Sequence, residues 1–153
     1  MYHSSQTGRM LSVARPAFGA RGYSLRILVV DDHETVRRGV CSILESRKDV
    51  EICGEAANGQ DAIEKASQLT PDLIVLDVTM PELDGFAAAR QIRTFQPEVP
   101  IIMLSMHDGQ NIAREAQRVG AQGFVSKSAA GQILLKAVGV VLQGQNFFPT
   151  LNA

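Results

Sequence analysis

Five polar residues follow segments that have the composition of buried strands, and together they could carry chemistry. In an open parallel α/β sheet, the carboxyl ends of the strands meet at one edge, so side chains placed there converge despite wide spacing in sequence. Three carboxylates in one place repel each other unless a cation joins them. Mg²⁺ suits such a site, because it takes a few carboxylate oxygens and keeps several waters. The five residues are Asp31, Asp32, Asp77, Ser105 and Lys127.

This set of residues is typical of phosphoryl-transfer chemistry. A carboxylate such as Asp77 can accept a phosphoryl group, and a bound metal would neutralise the incoming charge and orient the attack. The Lys127 ammonium would pair with one phosphoryl oxygen, and the Ser105 hydroxyl could donate to another. The plainer alternative is a structural ion pair between Lys127 and the acids, with Ser105 capping the next helix.

The elements that must position these residues alternate regularly along the chain. Short apolar runs rich in β-branched residues predict buried strands, and stripes at helical spacing follow each of them. Asn58 and Asp108 are candidate helix caps, and Gly120 and Gly144 are placed to end helices. The predicted fold is a doubly wound α/β domain with a parallel sheet covered on both faces. The predicted strands are Leu25–Val30, Val50–Ala56, 73–76, 99–104 and 123–125.

Length and charge favour one ordinary globular domain. The chain has 153 residues and a formal net charge of −1, which gives no reason to expect nucleic acid or an anionic membrane as partner. We expect residues 1–24 to form a disordered N-terminal extension, residues 25–146 the domain, and residues 147–153 a C-terminal tail. The extension is rich in arginine and serine and has no acid, so a transit peptide is the alternative. Cys41 and Cys53 are interpreted as reduced thiols of a cytoplasmic protein.

Four stretches of sequence resemble the receiver domains of bacterial response regulators, the CheY-like family. The resemblance runs from Leu25 to about Phe148, with the motifs in the expected order and spacing. The stretch Asp-Val-Thr-Met-Pro-Glu-Leu-Asp-Gly is the most specific of the four. The stretches are Val30-Asp31-Asp32-His33, Asp77 to Gly85, Leu104-Ser105-Met106 and Gly120 to Lys127.

The resemblance implies a flavodoxin-like (βα)5 fold with strand order 2-1-3-4-5, and it implies a role for each residue. Asp77 would accept a phosphoryl group from a histidine kinase or phosphotransfer protein, and Ser105 and Lys127 would hold that group. Phe124 would be an aromatic switch that turns inward when Ser105 moves toward the phosphate. The implied Mg²⁺ ligands are Asp32 and Asp77 directly, Asp31 mainly through water, and the backbone carbonyl of Thr79.

Finer features resemble the NarL/LuxR-type subgroup of transcription regulators. These features include Asp31-Asp32-His33 followed by Val36-Arg37, and Lys127-Ser128-Ala129. Members of that subgroup continue into a DNA-binding domain, whereas only nine residues follow Gly144 here. A stand-alone receiver and a piece of a longer regulator both stay open. We expect no nucleic-acid contact and no membrane span within this sequence.

The last predicted helix, residues 129–143, carries more apolar residues than one buried face needs. Leu134, Val138 and Val141 form one stripe, and a second stripe lies beside it. We expect a symmetric homodimer through this helix. The alternative is a helix buried more deeply by the segment Phe147-Phe148-Pro149.

Three other classes fit the sequence less well, and no turnover of an external metabolite is expected. A phosphatase with an aspartate nucleophile needs a second Asp two residues later, where this chain has Thr79. In a flavin-binding module, Asp31 and Asp32 would repel the phosphate. The third is a phosphorylation-inactive receiver that acts as a protein-interaction module, which the complete set of five residues disfavours.

Overall fold

The computed structural model describes residues 23–152 and shows one five-stranded parallel sheet. The strands lie in the order β2-β1-β3-β4-β5, as expected for the predicted fold. The fold prediction is therefore confirmed. The strands are β1 Leu25–Val30, β2 Val50–Ala56, β3 Leu73–Asp77, β4 Ile101–Ser105 and β5 Gly123–Ser126.

Helices cover both faces of the sheet, and two separate cores result. Alternate residues of each strand point to opposite faces, so that Leu28 and Val30 enter one core while Ile27 and Val29 enter the other. Helices α2, α3 and α4 pack on the first face, and α1 and α5 on the second. The helices are α1 Glu34–Glu45, α2 Gly59–Leu69, α3 Gly85–Phe95, α4 Gln110–Arg118, α5 Ala130–Leu142 and α6 Pro149–Asn152.

The start of β4 differs from the prediction. The strand begins at Ile101, two residues later than the predicted 99–104, and it runs on through Ser105. Pro100 lacks an N–H group and cannot donate to a neighbouring strand, although its carbonyl accepts from the Ile74 amide at 3.0 Å. The apolar residue Val99 therefore belongs to the approach to the strand.

Two helix starts also differ. The predicted Asp108 cap is wrong, because Gly109 holds the N-cap position of α4 with extended backbone and no side-chain hydrogen bond. The last helix is Ala130–Leu142 and not 129–143, because residues Lys127–Ala129 form a 3₁₀ turn first. The Asn58 cap is confirmed, since its Oδ1 accepts from the Asp61 amide at 2.8 Å.

The segment predicted as a C-terminal tail packs against the domain. Phe147 forms a parallel bridge with Gly123 at the free edge of β5. Phe148 is buried in the core on the α2–α4 face, while Phe147 packs against the core beneath α5. The short helix α6 then lies beside α4 and β5.

Three further sequence predictions concern the N-terminal extension, membrane spans and the cysteines. Residues 1–22 of the predicted extension lie outside the described residues. Among residues 23–152, no helix is long and apolar enough to cross a bilayer. Cys41 and Cys53 are free thiols, and they pack against the cores on opposite faces of the sheet.

Candidate functional site

The parallel sheet brings the predicted site residues to one edge. Asp31 follows β1, and its amide donates to the Ala56 carbonyl at the end of β2. Asp77 ends β3 opposite Leu104 of β4, and Ser105 is paired with Ser126 in the β4–β5 register. Lys127 comes directly after β5. Backbone pairing alone therefore places these residues side by side, as the sequence predicted.

Lys127 joins the two buried carboxylates of this edge. Its Nζ lies 2.8 Å from Asp31 Oδ2 and 3.1 Å from Asp77 Oδ1. All three side chains are nearly inaccessible to solvent, with 9% of Lys127 exposed and at most 2% of either acid. A buried carboxylate pair is costly without a cation, so the ammonium supplies the counter-charge that this arrangement requires.

Asp32 lies at the outer rim of the site beside His33. His33 Nδ1 is 3.2 Å from Asp32 Oδ1, and the His33 amide donates to Asp31 Oδ1 at 2.9 Å. The side chain of Asp32 is about one-fifth exposed and that of His33 is largely exposed. Asp31, Asp32 and His33 offer ligand atoms within 4.8 Å of one another, so the chain itself can present several donors to one ion.

Backbone amides hold the other two site side chains. The Thr79 amide donates to Asp77 Oδ1 at 3.3 Å, and the His107 amide donates to Ser105 Oγ at 2.9 Å. Ser105 is completely buried. Each side chain is oriented by a bond to the residue two positions further along the chain, which fixes the loop after its strand.

The electrostatics of the site favour a proton or a cation at Asp77. Burial and the neighbouring Asp31 charge raise the pKa of Asp77 from 3.8 to about 6, although the contact with Lys127 partly offsets this rise. Burial alone would lower the pKa of Lys127, but its hydrogen bonds to Asp31 and Asp77 outweigh burial and raise that pKa. Lys127 is therefore held in its charged form, and the carboxylate pair is left with incomplete compensation.

The donor set fits a small divalent cation. Among the described residues, Asp77 Oδ2 is a buried oxygen without a hydrogen-bond partner, and Asp31 Oδ2 and Asp32 Oδ1 have only the ionic contacts with Lys127 and His33. Unpaired buried carboxylate oxygens are expensive, and oxygen donors are what Mg²⁺ prefers. The residues present are thus consistent with the predicted metal site, which adds charge where the protein alone leaves it unbalanced.

A cleft of about 280 Å³ opens onto Asp77. Because water occupies about 30 Å³ in the liquid, this volume is enough for a phosphoryl group with several waters. Met106 stands at its mouth with 70% of its side chain exposed. The cleft is lined by His33, Val36, Asp77, Thr79, Met106, His107 and Lys127.

Phe124 lies in the core and not in the cleft. It is fully buried on the α2–α4 face, two strands away from Asp77, with β4 between them. Lys127 therefore contacts both Asp31 and Asp77, whereas Ser105 lies at the end of β4 and Phe124 lies within β5.

Two further residues support the site, and the sequence analysis gave neither of them a role. Arg37 donates from Nη1 to the Asp31 carbonyl at 2.8 Å and from Nε to Glu55 Oε1 at 2.8 Å, which ties the end of β1 to the end of β2. Gly85 starts α3 so close to the site that a Cβ there would lie 2.0 Å from the Asp77 carbonyl oxygen. The sequence does show an Arg one turn into α1 and the Asp84-Gly85 pair. The groups that Arg37 and Gly85 contact, however, are determined by tertiary structure and could not be predicted from local sequence.

Comparison with known families identifies this arrangement. Residues 27–139 match the family model described as the response regulator receiver domain. The chain belongs to the response regulator receiver family. The matched region contains every site residue named above.

Individual relatives place this receiver with the NarL/LuxR type. It is 37% identical over 123 residues to the response regulator UvrY of Escherichia coli, covering 80% of this chain and 56% of that protein. A LuxR-family two-component response regulator from Aurantimonas superposes with a TM-score of 0.78 at 35% identity, covering 81% of this chain and 89% of that one. The receiver domain of the putative response regulator NarL from Mycobacterium tuberculosis gives 0.75 at 32% identity, covering 80% and 99%.

These comparisons show a receiver domain of a two-component response regulator. The chain spans little more than half the length of the UvrY protein that it matches. The activity and partners of any whole regulator are therefore matters for proposal.

Proposed function

We propose that this receiver accepts a phosphoryl group on Asp77 from a histidine kinase or phosphotransfer protein. The observation that carries the proposal is that Asp77, 3.1 Å from Lys127 Nζ, opens into a cleft of about 280 Å³, which a purely structural ion pair between Lys127 and the acids would not require. An Asp77 oxygen would attack phosphorus in line as the bond from phosphorus to the donor nitrogen breaks, and the electron pair returns to that nitrogen.

Asp31, Asp32 and Asp77, with the backbone carbonyl of Thr79, would hold Mg²⁺ in the proposed site. When bound, the ion supplies positive charge to the transferring phosphoryl oxygens. Asp31 is turned toward Lys127 and the His33 amide, which agrees with a ligand that acts mainly through water. The buried Asp77 Oδ2, which has no partner among the described residues, supports Asp77 as a direct ligand, while the direct role of Asp32 rests on the family resemblance.

Lys127 and Ser105 would hold the transferred group. The Lys127 ammonium already lies 3.1 Å from Asp77, and transfer of a dianion to that carboxyl gives it a stronger partner. The Ser105 hydroxyl oxygen accepts from the His107 amide, so its own proton is free for a phosphoryl oxygen.

Phe124 would act as the switch residue that reports phosphorylation to the surface of the domain. It follows Gly123 on β5, next to the strand that ends in Ser105. A shift of Ser105 toward the phosphoryl group would make room for the buried position of Phe124, which the proposal assigns to the phosphorylated form.

Radiolabelled phosphate transfer tests this function. A phosphodonor such as acetyl phosphate with Mg²⁺ is expected to label the native chain, and chelation of the metal is expected to abolish labelling. Asp77→Asn should not be labelled, whereas the exposed Asp108→Asn serves as matched control and should be labelled normally. Equal labelling of Asp77→Asn would overturn the proposal.

We also propose a homodimer through α5. Several apolar side chains of this helix remain only partly buried after the core is formed, among them Ile133, Leu135 and Leu142. Phe147 covers part of this face, as the alternative interpretation expected, but it leaves these residues accessible. A second copy of the helix would cover them, because identical apolar faces are self-complementary across a two-fold axis.

The proposed setting is a cytoplasmic signalling module that controls an output partner or a DNA-binding domain elsewhere in a longer regulator. Signalling, and not turnover of a metabolite, is the role of the family. The phosphorylation-inactive alternative finds no support in the site, since all five predicted residues are present and the sheet brings them to one edge.

A further inference from the structure

The segment after α5 returns to the sheet and extends it at the free edge of β5. The Phe124 amide donates to the Phe147 carbonyl at 2.9 Å, and the Phe147 amide donates to the Gln122 carbonyl at 2.8 Å. These two bonds satisfy groups on β5 that an edge strand would otherwise leave open. The segment is therefore bonded to the backbone of the switch residue itself.

The side chains of this segment enter the core that contains Phe124. Phe148 is 4% exposed and belongs to the same buried cluster as Phe124, Met103 and Ala113. Leu151 packs against this cluster from α6, and α6 lies against α4 and β5. Phe148 and Leu151 thus help to close the region between α4 and β5 on the side where Phe124 is buried.

We propose that Phe148 is a positioning residue of the receiver, which holds Phe124 in its buried position. This inference rests on the proposed function, because it takes Phe124 as the switch and its buried position as the one that accompanies phosphorylation. An outward turn of Phe124 would have to disrupt the cover that Phe148 and Leu151 provide. Docking of the segment and binding of a phosphoryl group at Asp77 then favour the same state.

Two ligands that favour the same state stabilise each other's binding, and the same linkage holds for a docked segment and a phosphoryl group. Loss of the Phe148 side chain should therefore weaken binding of a phosphoryl mimic at Asp77, although the two residues lie on different strands or segments. A residue that serves only the stability of the fold would change the melting temperature without changing the affinity of the folded protein.

Beryllofluoride with Mg²⁺ is the probe, since it stands in for a phosphoryl group on a carboxylate. We expect Phe148→Ala to weaken its binding, measured by titration calorimetry on the full chain, by about fivefold or more, in the usual range of coupling between sites. Phe148→Leu should restore most of the affinity. Leu151→Ala should weaken binding by a smaller factor, and it keeps the inference testable if Phe148→Ala does not fold.

Two controls separate positioning from stability. Phe95→Ala removes the same side chain from an exposed position at the end of α3, and Val138→Ala creates a buried cavity on the opposite face of the sheet. Both should bind the probe like the native chain, although Val138→Ala should melt earlier. Hydrogen exchange at the Phe124 amide should be faster in Phe148→Ala.

The outcomes are distinct. If the native chain binds the probe and Phe148→Ala binds it equally well, the positioning role is wrong while the proposed function stands; where Phe148→Ala does not fold, equal binding by Leu151→Ala has the same meaning. If Val138→Ala weakens binding as much as Phe148→Ala, the effect is one of stability and the inference is again wrong. If the native chain binds no probe at all, the proposed function fails and the inference fails with it.

Discussion

At the scale of single residues, the site holds two carboxylates that repel each other and that one ammonium only partly neutralises. Asp31 and Asp77 share one ammonium, and the remaining imbalance appears as the raised pKa of Asp77. A group arranged in this way destabilises the metal-free fold when it is charged. It also gives an incoming cation or phosphoryl group its binding energy, so the instability and the proposed chemistry have the same origin.

Removing the Asp77 charge should stabilise the metal-free protein. We expect Asp77→Asn to raise the free energy of unfolding at pH 7 by about 1–3 kcal/mol, since the pKa of Asp77 is about 6 in the folded chain against 3.8 ordinarily. The folded state binds the extra proton between these values, so native stability should fall as pH rises from about 4 to 6. Urea titrations across that range measure it, and addition of Mg²⁺ should reduce the difference from the variant. A less stable Asp77→Asn would contradict the account.

The cysteines offer a prediction that is independent of the site. Burial, with the Glu55 and Glu45 charges, raises the pKa of Cys41 from 9.0 to about 11. At pH 8 roughly a thousandth of this thiol is reactive thiolate. Iodoacetamide should therefore modify Cys41 slowly in the native chain and readily in urea, and the native rate should rise with pH up to about 11. Rapid native modification at pH 8 would show that α1 does not bury this residue as described.

At the scale of elements, the strand-to-helix turn after Asp77 is held by a helix cap, a backbone hydrogen bond and a close backbone approach. Asp84 caps α3, with its Oδ1 accepting from the Ala87 amide at 2.9 Å. The Gly85 amide donates to the Val78 carbonyl at 2.8 Å, which folds the turn back onto β3. Local geometry thus explains the Asp-Gly end of the motif. Asp84 caps the helix, and Gly85, which has no Cβ, allows the helix to approach the Asp77 backbone.

Gly85→Ala should disturb both the fold and the site. The added Cβ would lie 2.0 Å from the Asp77 carbonyl oxygen, which is backbone and cannot move aside freely. We expect a loss of about 2–3 kcal/mol of stability and slower phosphorylation. Gly39→Ala, at an exposed position of α1 with no atom near its Cβ, is the matched control and should stabilise the chain by about 0.5–1 kcal/mol. Thermal unfolding of both variants decides the matter, and equal melting temperatures would refute the close approach.

The sequence predicted elements better than it predicted their ends. Apolar runs and helical stripes placed all five strands and the five main helices, because β1, β3, β4 and β5 are largely buried and each helix buries one face, while the edge strand β2 still carries an apolar, β-branched start. The start of β4 and the cap of α4 were wrong, because Pro100 and Gly109 act through backbone geometry that hydrophobic patterns do not record. The bridge of Phe147 to β5 depends on a long-range contact, which no local pattern indicates.

Among the site residues too, local patterns predicted some features and long-range contacts determined the others. Asp31, Asp77 and Lys127 could be predicted because each lies at the carboxyl end of a strand, and parallel strands end at a common edge. The bond of Arg37 to the Asp31 carbonyl could not, because it depends on how α1 lies across the ends of β1 and β2.

At the scale of the whole molecule, the two faces of the sheet have different roles. The α2–α4 face contains Phe124 and the docked Phe148, whereas the opposite face presents α5 with its partly exposed apolar residues. Signalling through the first face and self-association through the second would not compete for the same surface.

The dimer has a direct test in solution. We expect the native protein to sediment as a dimer, measured both with and without phosphorylation. Ile133→Lys should sediment as a monomer, because it places a charge in the apolar face. Gln132→Lys, at an exposed neighbouring position, is the matched control and should behave like the native chain. A native chain that is monomeric both with and without phosphorylation would remove the dimer from the account.

Asp77 is the proposed phosphorylation site, and mapping of the modified residue tests this role. The chain is incubated with acetyl phosphate and Mg²⁺, its intact mass is measured, and the phosphorylated peptide is sequenced by tandem mass spectrometry. We expect one added phosphoryl group on Asp77, present in the native chain and in Asp108→Asn, and absent from Asp77→Asn. A native chain that gains no phosphate from any donor, or gains it at another residue, would contradict the account.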